Sequence, residues 1–444
     1  MKTWDKGYKL DEQVEKFTVG SDRVTDLVLA PYDILGSLAH ASMLGSIGIL
    51  SKKETLQLTG ELKNLYKIIQ SGDFQIEPDV EDIHSQVEKH LIEKLGDLGK
   101  KIHTGRSRND QVLVDLHLFI RDKLALVVKV TAELAKVLIG MSNRHKEMLL
   151  PGYTHYQVAM PASFGLWFAS FAESLADDLL VCQAAYRMSD QNPLGSGAGF
   201  GSSFPLDRKL TTRLLGFRDM RYNVMHAMKS RGKLEQIAAQ ALASVGDTLS
   251  KLASDVCLYA GQDYGFIELP GEYTTGSSIM PHKKNPDLFE MIRGYCNRLR
   301  ALPNEIAMIS SNLHTGYHRE FQLMKEPLFE GFEVLLNCLR ILIKVIPELG
   351  IRSADLNQEK YRYLFSVEEV NRHVLNGLPF REAYRKIAKD IESGDYSPGQ
   401  DLQHTHEGSI GNLCNDEVLN KIDERLREFN FQTGNKALQK LLEG

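Results

Sequence analysis

Apolar residues recur along most of this chain at intervals of three and four, the spacing that lines one face of an α-helix. Leu27, Ile34, Leu35, Leu38, Met43, Leu44 and Ile47 predict a helix between Asp26 and Leu50, and another should run from Lys53 to Gln70, where Ser71-Gly72-Asp73 stops it. Glu81-Asp82-Ile83-His84 opens a third, with acids in the first turn where the helix dipole favours them. Val112, Leu116, Ile120, Leu124, Val127, Thr131, Leu134 and Leu138 then step onward without proline or glycine until Gly140. Further long helices are expected from about Pro161 to Arg187, Lys233 to Tyr259, Pro286 to Leu302 and Pro327 to Ile346. Apolar faces this long exceed what one neighbour covers, so the pattern predicts an elongated bundle that continues across subunits of a homo-oligomer. After Gly350 the helices shorten, and Glu392 to Gly399 reads as a turn. No stretch shows convincing strand alternation. The expected class is all-α in three helical domains: 1–106, a central long-helix bundle over 107–350 carrying a reactive loop, and a small domain over 351–444.

Composition narrows the chemistry. The chain has 444 residues, of which 25% are charged and 43% hydrophobic, with a net charge of −5. That is ordinary for a soluble globular enzyme and offers no overall basic field for nucleic acid. Met1 to Gly7 lacks the apolar core of a secretory signal, and no uninterrupted apolar run approaches a membrane span. Five scattered cysteines, none in C-x-x-C spacing, fit free thiols in a reducing cytoplasm. They argue against a disulfide framework or a zinc site, and His404 and His406 lack cysteine partners for metal.

The densest chemistry lies in Gly276-Ser277-Ser278-Ile279-Met280-Pro281-His282-Lys283-Lys284-Asn285-Pro286. Gly276 frees the backbone before two hydroxyls, and Asn285-Pro286 reads as an N-cap followed by the first helical residue. A helix end beside Lys283 and Lys284 suits an anion such as a carboxylate. A polar surface loop has the same composition; the order of residues separates the two. Written G-S-S-x-M-P-x-K-x-N-P, the loop resembles the signature of the fumarase/aspartase superfamily, whose members eliminate fumarate from succinyl compounds.

Other segments resemble one branch, the argininosuccinate lyase family. Thr104 to Gln111, T-G-R-S-R-N-D-Q, is similar to the stretch that marks it, and its two arginines suit a bidentate carboxylate clamp. Pro151 to Gln157, P-G-Y-T-H-x-Q, resembles the segment carrying a catalytic histidine. Tyr317 to Pro327 resembles the arginine-binding stretch but departs from it at His318, Leu323 and Met324, and His282 stands where the family usually has glutamine. Gly195 to Gly201 lacks a nucleotide-binding register and is similar to a structural segment of the family near its active site.

The resemblance implies reversible β-elimination of argininosuccinate to arginine and fumarate, without metal or organic cofactor, in a homotetramer whose active sites are shared between subunits. It implies that Ser277 is the base, supported by Lys283 and Asn285, and that His155, oriented by Glu290, handles the proton on the leaving nitrogen. Arg106, Arg108, Asn109 and Thr154 would hold the succinyl carboxylates, with Ser37 and Ser278 also contacting this small dicarboxylate substrate. Tyr317, Gln322 and Lys325 would hold its arginine part. His84, in an E-D-I-H match, is either a site residue or an ordinary helix-surface histidine. Two rival readings use the same bundle: a lyase for adenylosuccinate or malate, and a non-enzymatic structural oligomer.

Overall fold

The computed structural model describes residues 11–397, 399, 401–429 and 431–443. Met1 to Gly7, read above for a signal, and Pro398 of the expected turn therefore lie outside the described residues. The amino-terminal helices are α1 (Glu12–Val19), α2 (Asp22–Ser46), α3 (Lys52–Ser71), α4 (Ile83–Leu95) and the short α5 (Asp97–Lys100). Ser51 and Glu54 close a capping box at the start of α3, and Gly72 ends it at φ 82°. Ile34 and Leu38 of α2 pack with Leu58 and Leu62 of α3 and Leu91 of α4 into one core. By length and apolarity α2 reaches the dimensions of a membrane span, which no uninterrupted apolar run suggests, yet most of it is buried inside this fold.

Ser107 and Asp110 form a second capping box that starts α6 (Arg108–Arg144), which at 1.5 Å per residue is about 55 Å long. A hairpin of β1 (Leu149–Thr154) and β2 (Gln157–Ser163) reverses the chain into α7 (Phe164–Ser189). The short α8 (Arg208–Leu214) and α9 (Val224–Lys229) lead to α10 (Lys233–Tyr259), α11 (Asp287–Ile309) and α12 (Lys325–Val345). α6 and α7 are antiparallel: Phe164 N–H meets Met148 O at 2.9 Å at one end, and His117 Nδ1 lies 2.9 Å from Ser189 O at the other. Trp167 to Asp255 and Ser250 to Asn297 fix α10 antiparallel to α7 and α11 antiparallel to α10. Lys123 to Glu333 and Arg144 to Pro347 set α12 parallel to α6. One end of the bundle thus gathers the starts of α6, α10 and α12, and the opposite end carries the hairpin.

The final helices are α13 (Ser366–Leu375), α14 (Phe380–Ser393), α15 (Asn415–Arg427) and α16 (Phe431–Glu443). α15 buries Val418 and Ile422 in the bundle core, α16 buries Leu441 in the amino-terminal core, and α13 and α14 share a small cluster of Val370, Ala383, Ile387 and Tyr396.

The molecule is mostly helical, 66% helix and 6% strand. The strand content is a departure from the sequence reading: besides the hairpin, Gln191–Asn192 pairs with Asp219–Met220, and Ile267–Glu268 with Gly350–Ile351. A register shift between Pro151 and Tyr153 breaks the period of two along β1, and Pro161 belongs to β2, so α7 begins at Phe164. α11 continues through Pro303 to Ile309, past the expected stop at Leu302, because Leu299, Leu302 and Ile306 keep one buried face across the lost N–H.

Candidate active site

Five segments far apart in sequence meet where α6 begins. The α6 cap displays Arg106 buried and Arg108 partly exposed. Arg106 Nη1 donates to Ser37 Oγ at 2.9 Å, while its Nε and Nη2 are buried without a partner among the described residues. Ser37 is itself only 1% exposed, so it touches the open site only by way of Arg106. Asp110 steadies the cap: one carboxylate oxygen accepts Ser107 N–H at 2.9 Å, and the other accepts Gly195 and Gly197 N–H, both at 3.0 Å. This ties the glycine-rich segment to the arginines.

Arg108 is already held by protein acceptors. Its Nε lies 2.9 Å from Asp82 and its Nη1 3.2 Å from Glu81, while Nη2 donates to Ser85 Oγ at 3.0 Å. Glu81 also accepts from Arg319 at 3.0 Å and so links the α6 cap to the stretch around Tyr317. His84 is 7% exposed, so the helix-surface alternative is corrected; it lies 2.8 Å from Asp33, because α2 and α6 cover that face of α4.

On the neighbouring stretch, Lys325 Nζ sits between Asp22 and Asp26 at 2.8 and 2.5 Å. Burial disfavours its charge, but Asp26 and Asp22 outweigh that and raise its pKa above the ordinary lysine value. Gln322 Oε1 is buried and has no partner among the described residues. Arg231 Nη2 donates to Phe321 O at 3.0 Å and anchors the turn that carries Gln322. Tyr317 is half-buried, and burial raises its phenol pKa despite Arg231 and Arg319.

The second group of motif residues occupies the hairpin end. His155 and Tyr156 form the two-residue turn between β1 and β2 with φ 53° and 61°, the left-handed pair that hairpin turns require and that glycine or asparagine usually supplies. Both side chains are exposed, as is Thr154. Tyr153, one step back, packs edge-on against Tyr264 and anchors the strand.

The loop after α10 is pinched at its base by Thr275 and Asn285, whose backbones exchange N–H···O bonds of 2.9 and 3.4 Å. Within it Ser277 Oγ accepts the N–H groups of Met280 at 3.2 Å and Ile279 at 3.4 Å. Ser278, Lys283 and Lys284 are exposed. The expected cap is corrected here: Pro286 occupies the N-cap and Asp287 is the first helical residue. The Asn285 amide instead donates back across the loop to Gly276 O at 3.3 Å, a bond that holds the pinch. Glu290 is exposed in the first turn of α11, and among the described residues it shares no hydrogen bond or ion pair with His155.

The structure therefore brings Ser37, Arg106, Arg108, Asn109, Tyr317, Gln322 and Lys325 to one end, and Thr154, His155, Ser277, Ser278, Lys283, Asn285 and Glu290 to the other. Within a chain the two groups are separated by roughly the length of α6. A cavity of about 660 Å³ beside α15 is lined by none of them. Sequence reasoning missed Asp22, Asp26 and Asp33, which face the cations at the first end, and Asp115, buried beside His84. A signal was present, since Asp22, Asp26 and Asp33 sit at intervals of four and seven on the buried side of an apolar helix.

Comparison with known proteins gives the family and the fold. Residues 8–300 match the family described as Lyase. The chain is 53% identical over 443 residues to argininosuccinate lyase of Parabacteroides distasonis, covering 100% of this chain and 99% of that protein. It is 39% identical over 388 residues to argininosuccinate lyase of Thermotoga neapolitana, covering 87% and 98%. In fold it is similar to EDDS lyase in complex with formate, with a TM-score of 0.75 at 22% identity over 98% and 94% of the two chains. A class II fumarase from Schistosoma mansoni superposes with a TM-score of 0.70 at 16% identity over 86% and 88%.

Proposed function

The chain belongs to the argininosuccinate lyase family, and from that premise we propose that Ser277 removes the proton whose loss starts the elimination, with Lys283 and Asn285 meeting the charge that develops. The enzyme is a carbon–nitrogen lyase of arginine biosynthesis, converting argininosuccinate to arginine and fumarate. Taking a proton from the carbon beside a carboxylate adds charge to a group already anionic. Fixed donors must meet that charge where it accumulates. Serine is a weak base, so its alkoxide needs the same help.

The observation that carries this role is the pair of backbone N–H groups already directed at Ser277 Oγ. Lys283 supplies a mobile ammonium on the same loop. His155, steered by Glu290, handles the proton on the leaving nitrogen, which departs as neutral guanidine because the substrate's guanidinium is already protonated. Arg106, whose Nε and Nη2 lack acceptors, is the better carboxylate grip of the arginine pair, since Arg108 is engaged by Asp82 and Glu81. Asn109, Thr154 and Ser278 complete the succinyl contacts. Tyr317, Gln322 and Lys325 hold the arginine part.

Because the two residue groups lie at opposite ends of a chain, each active site is built from more than one copy in a homo-oligomer, here taken as a tetramer. The five free thiols support a cytoplasmic setting. Purified protein incubated with argininosuccinate should release arginine together with the ultraviolet absorbance of fumarate, and should leave adenylosuccinate and malate untouched. Turnover of either of those in preference to argininosuccinate would overturn the assignment of the arginine-side residues.

A further inference from the structure

Asp33 of α2, His84 of α4 and Asp115 of α6 form a polar island inside the amino-terminal core, 0%, 7% and 0% exposed. His84 Nδ1 lies 2.8 Å from Asp33 Oδ1 and 3.8 Å from Asp115 Oδ2. Asp33 Oδ2 and both oxygens of Asp115 have no hydrogen-bond partner among the described residues. One imidazole cannot balance two carboxylates in a site this dry, so one acid must keep its proton. Asp33, which accepts the His84 hydrogen bond, is the acid that pairs directly with the ring. Asp115, with no donor on either oxygen, is the one that stays neutral.

We propose that Asp33 as fixed counter-charge and Asp115 as neutral acid are positioning residues that hold His84 as an imidazolium, so that its Nε2–H reinforces the carboxylate grip of Arg106. The Nδ1 edge faces the aspartates, which leaves Nε2 on the opposite edge as the available donor. Ser37, one turn along α2 from Asp33, accepts from Arg106, so the ring and that guanidinium lie along the same face of α2. The inference rests on the reading of this end as the carboxylate-binding end.

The charges around the ring agree with the geometry. Asp33 faces it from α2, Asp82 from the cap of its own helix, Asp115 from α6 and His103 from the turn before α6, while Asp26 and Arg106 act on Asp115 and Arg108 acts on Asp82. Burial alone would strip the ring of its proton, but Asp33 first and then Asp82 push its pKa up to about 9. Burial and then Asp33 drive Asp115 well above the carboxylate range. The same three side chains have the reach to ligate a divalent cation, but the guanidinium of Arg106 opposes one there.

The test follows the histidine resonances of the full-length oligomer by NMR against pH, with His84 assigned by loss of its signal in His84→Gln. His84 should titrate near pH 9 in the unsubstituted protein. Asp33→Asn should lower that midpoint by more than about one pH unit. Asp115→Asn should leave it nearly unchanged, because an amide imitates a neutral acid. A midpoint at or below 6.5 in the unsubstituted protein overturns the proposal even if the variants fail to fold. So does an Asp115→Asn shift as large as that of Asp33→Asn, or a stoichiometric metal whose chelation moves the His84 signals. The alkaline limb of kcat/KM should fall with the His84 midpoint in Asp33→Asn. If the NMR midpoint moves and that limb does not, the buried charge arrangement stands and the carboxylate-binding reading of this end is overturned.

Discussion

Lys325 Nζ lies 2.5 Å from Asp26 and 2.8 Å from Asp22, and each of the three side chains is less than a tenth exposed. One ammonium thus screens two acids that burial would otherwise leave facing each other. Removing one member of such a group typically costs about 3–5 kcal/mol because the remaining charges stay buried. Lys325→Met should lose stability on that scale in urea denaturation. Adding Asp22→Asn and Asp26→Asn should restore most of the stability but not the affinity for argininosuccinate, which separates folding from binding.

Ser277 makes only local bonds, accepting two N–H groups of its own loop, and its neighbours in the loop are exposed. Ser277→Ala should therefore leave the thermal midpoint within about a degree of the unsubstituted protein, as surface changes away from packed features do. Loss of a positioned base should lower kcat by roughly 10²–10⁴-fold. Full activity in that variant would reassign the base.

The parts of this molecule set by local pattern are legible in the chain, and the parts set by distant partners are not. α10 spans Lys233–Tyr259 as expected, since Leu234, Ala238, Ala241, Val245, Leu249, Leu252 and Val256 recur at helical spacing and are all buried in the bundle core. The hairpin at His155 is hidden because Pro151, Gly152 and Pro161 interrupt its alternation, and because His155 and Tyr156 adopt backbone angles usually left to glycine. The motifs single out Ser277, His155 and Arg106 as candidates for the chemistry. That Arg108 is taken up by Glu81 and Asp82, and His84 by Asp33, depends on helices brought together only by folding.

His117 offers a pH test that is independent of the active site. It is fully buried, donates its Nδ1–H to Ser189 O, and burial followed by Arg221 drives its pKa down to about 3. Between pH 6.5 and 3 the unfolded chain binds a proton that the folded one refuses. The stability contributed by the neutral ring is therefore complete above 6.5 and is lost as pH falls toward 3. His117→Asn, which retains a partner for Ser189 O, should flatten the acid side of the stability curve by up to about 1.4 kcal/mol per pH unit. An unchanged acid slope in denaturation measurements would mean that the ring is already protonated in the folded state.

The separation of the two residue groups along α6 sets the last expectation. If one active site takes Ser277 from one copy and Arg106 from another, two inactive variants altered at opposite ends should repair each other. Ser277→Ala and Arg106→Met, each inactive alone, should regain fumarate release when unfolded together and refolded as mixed oligomers, because some sites then combine the intact loop of one copy with the intact arginine of another. Variants altered at the same end, such as Arg106→Met with Tyr317→Phe, also place their damage on separate chains. They should recover nothing if both residues enter a site from one copy, and should recover activity if the arginine-side stretch comes from a different copy than the α6 cap. The salt bridge of Glu81 with Arg319, beside its contact with Arg108, ties those two stretches together within a chain and favours the first outcome.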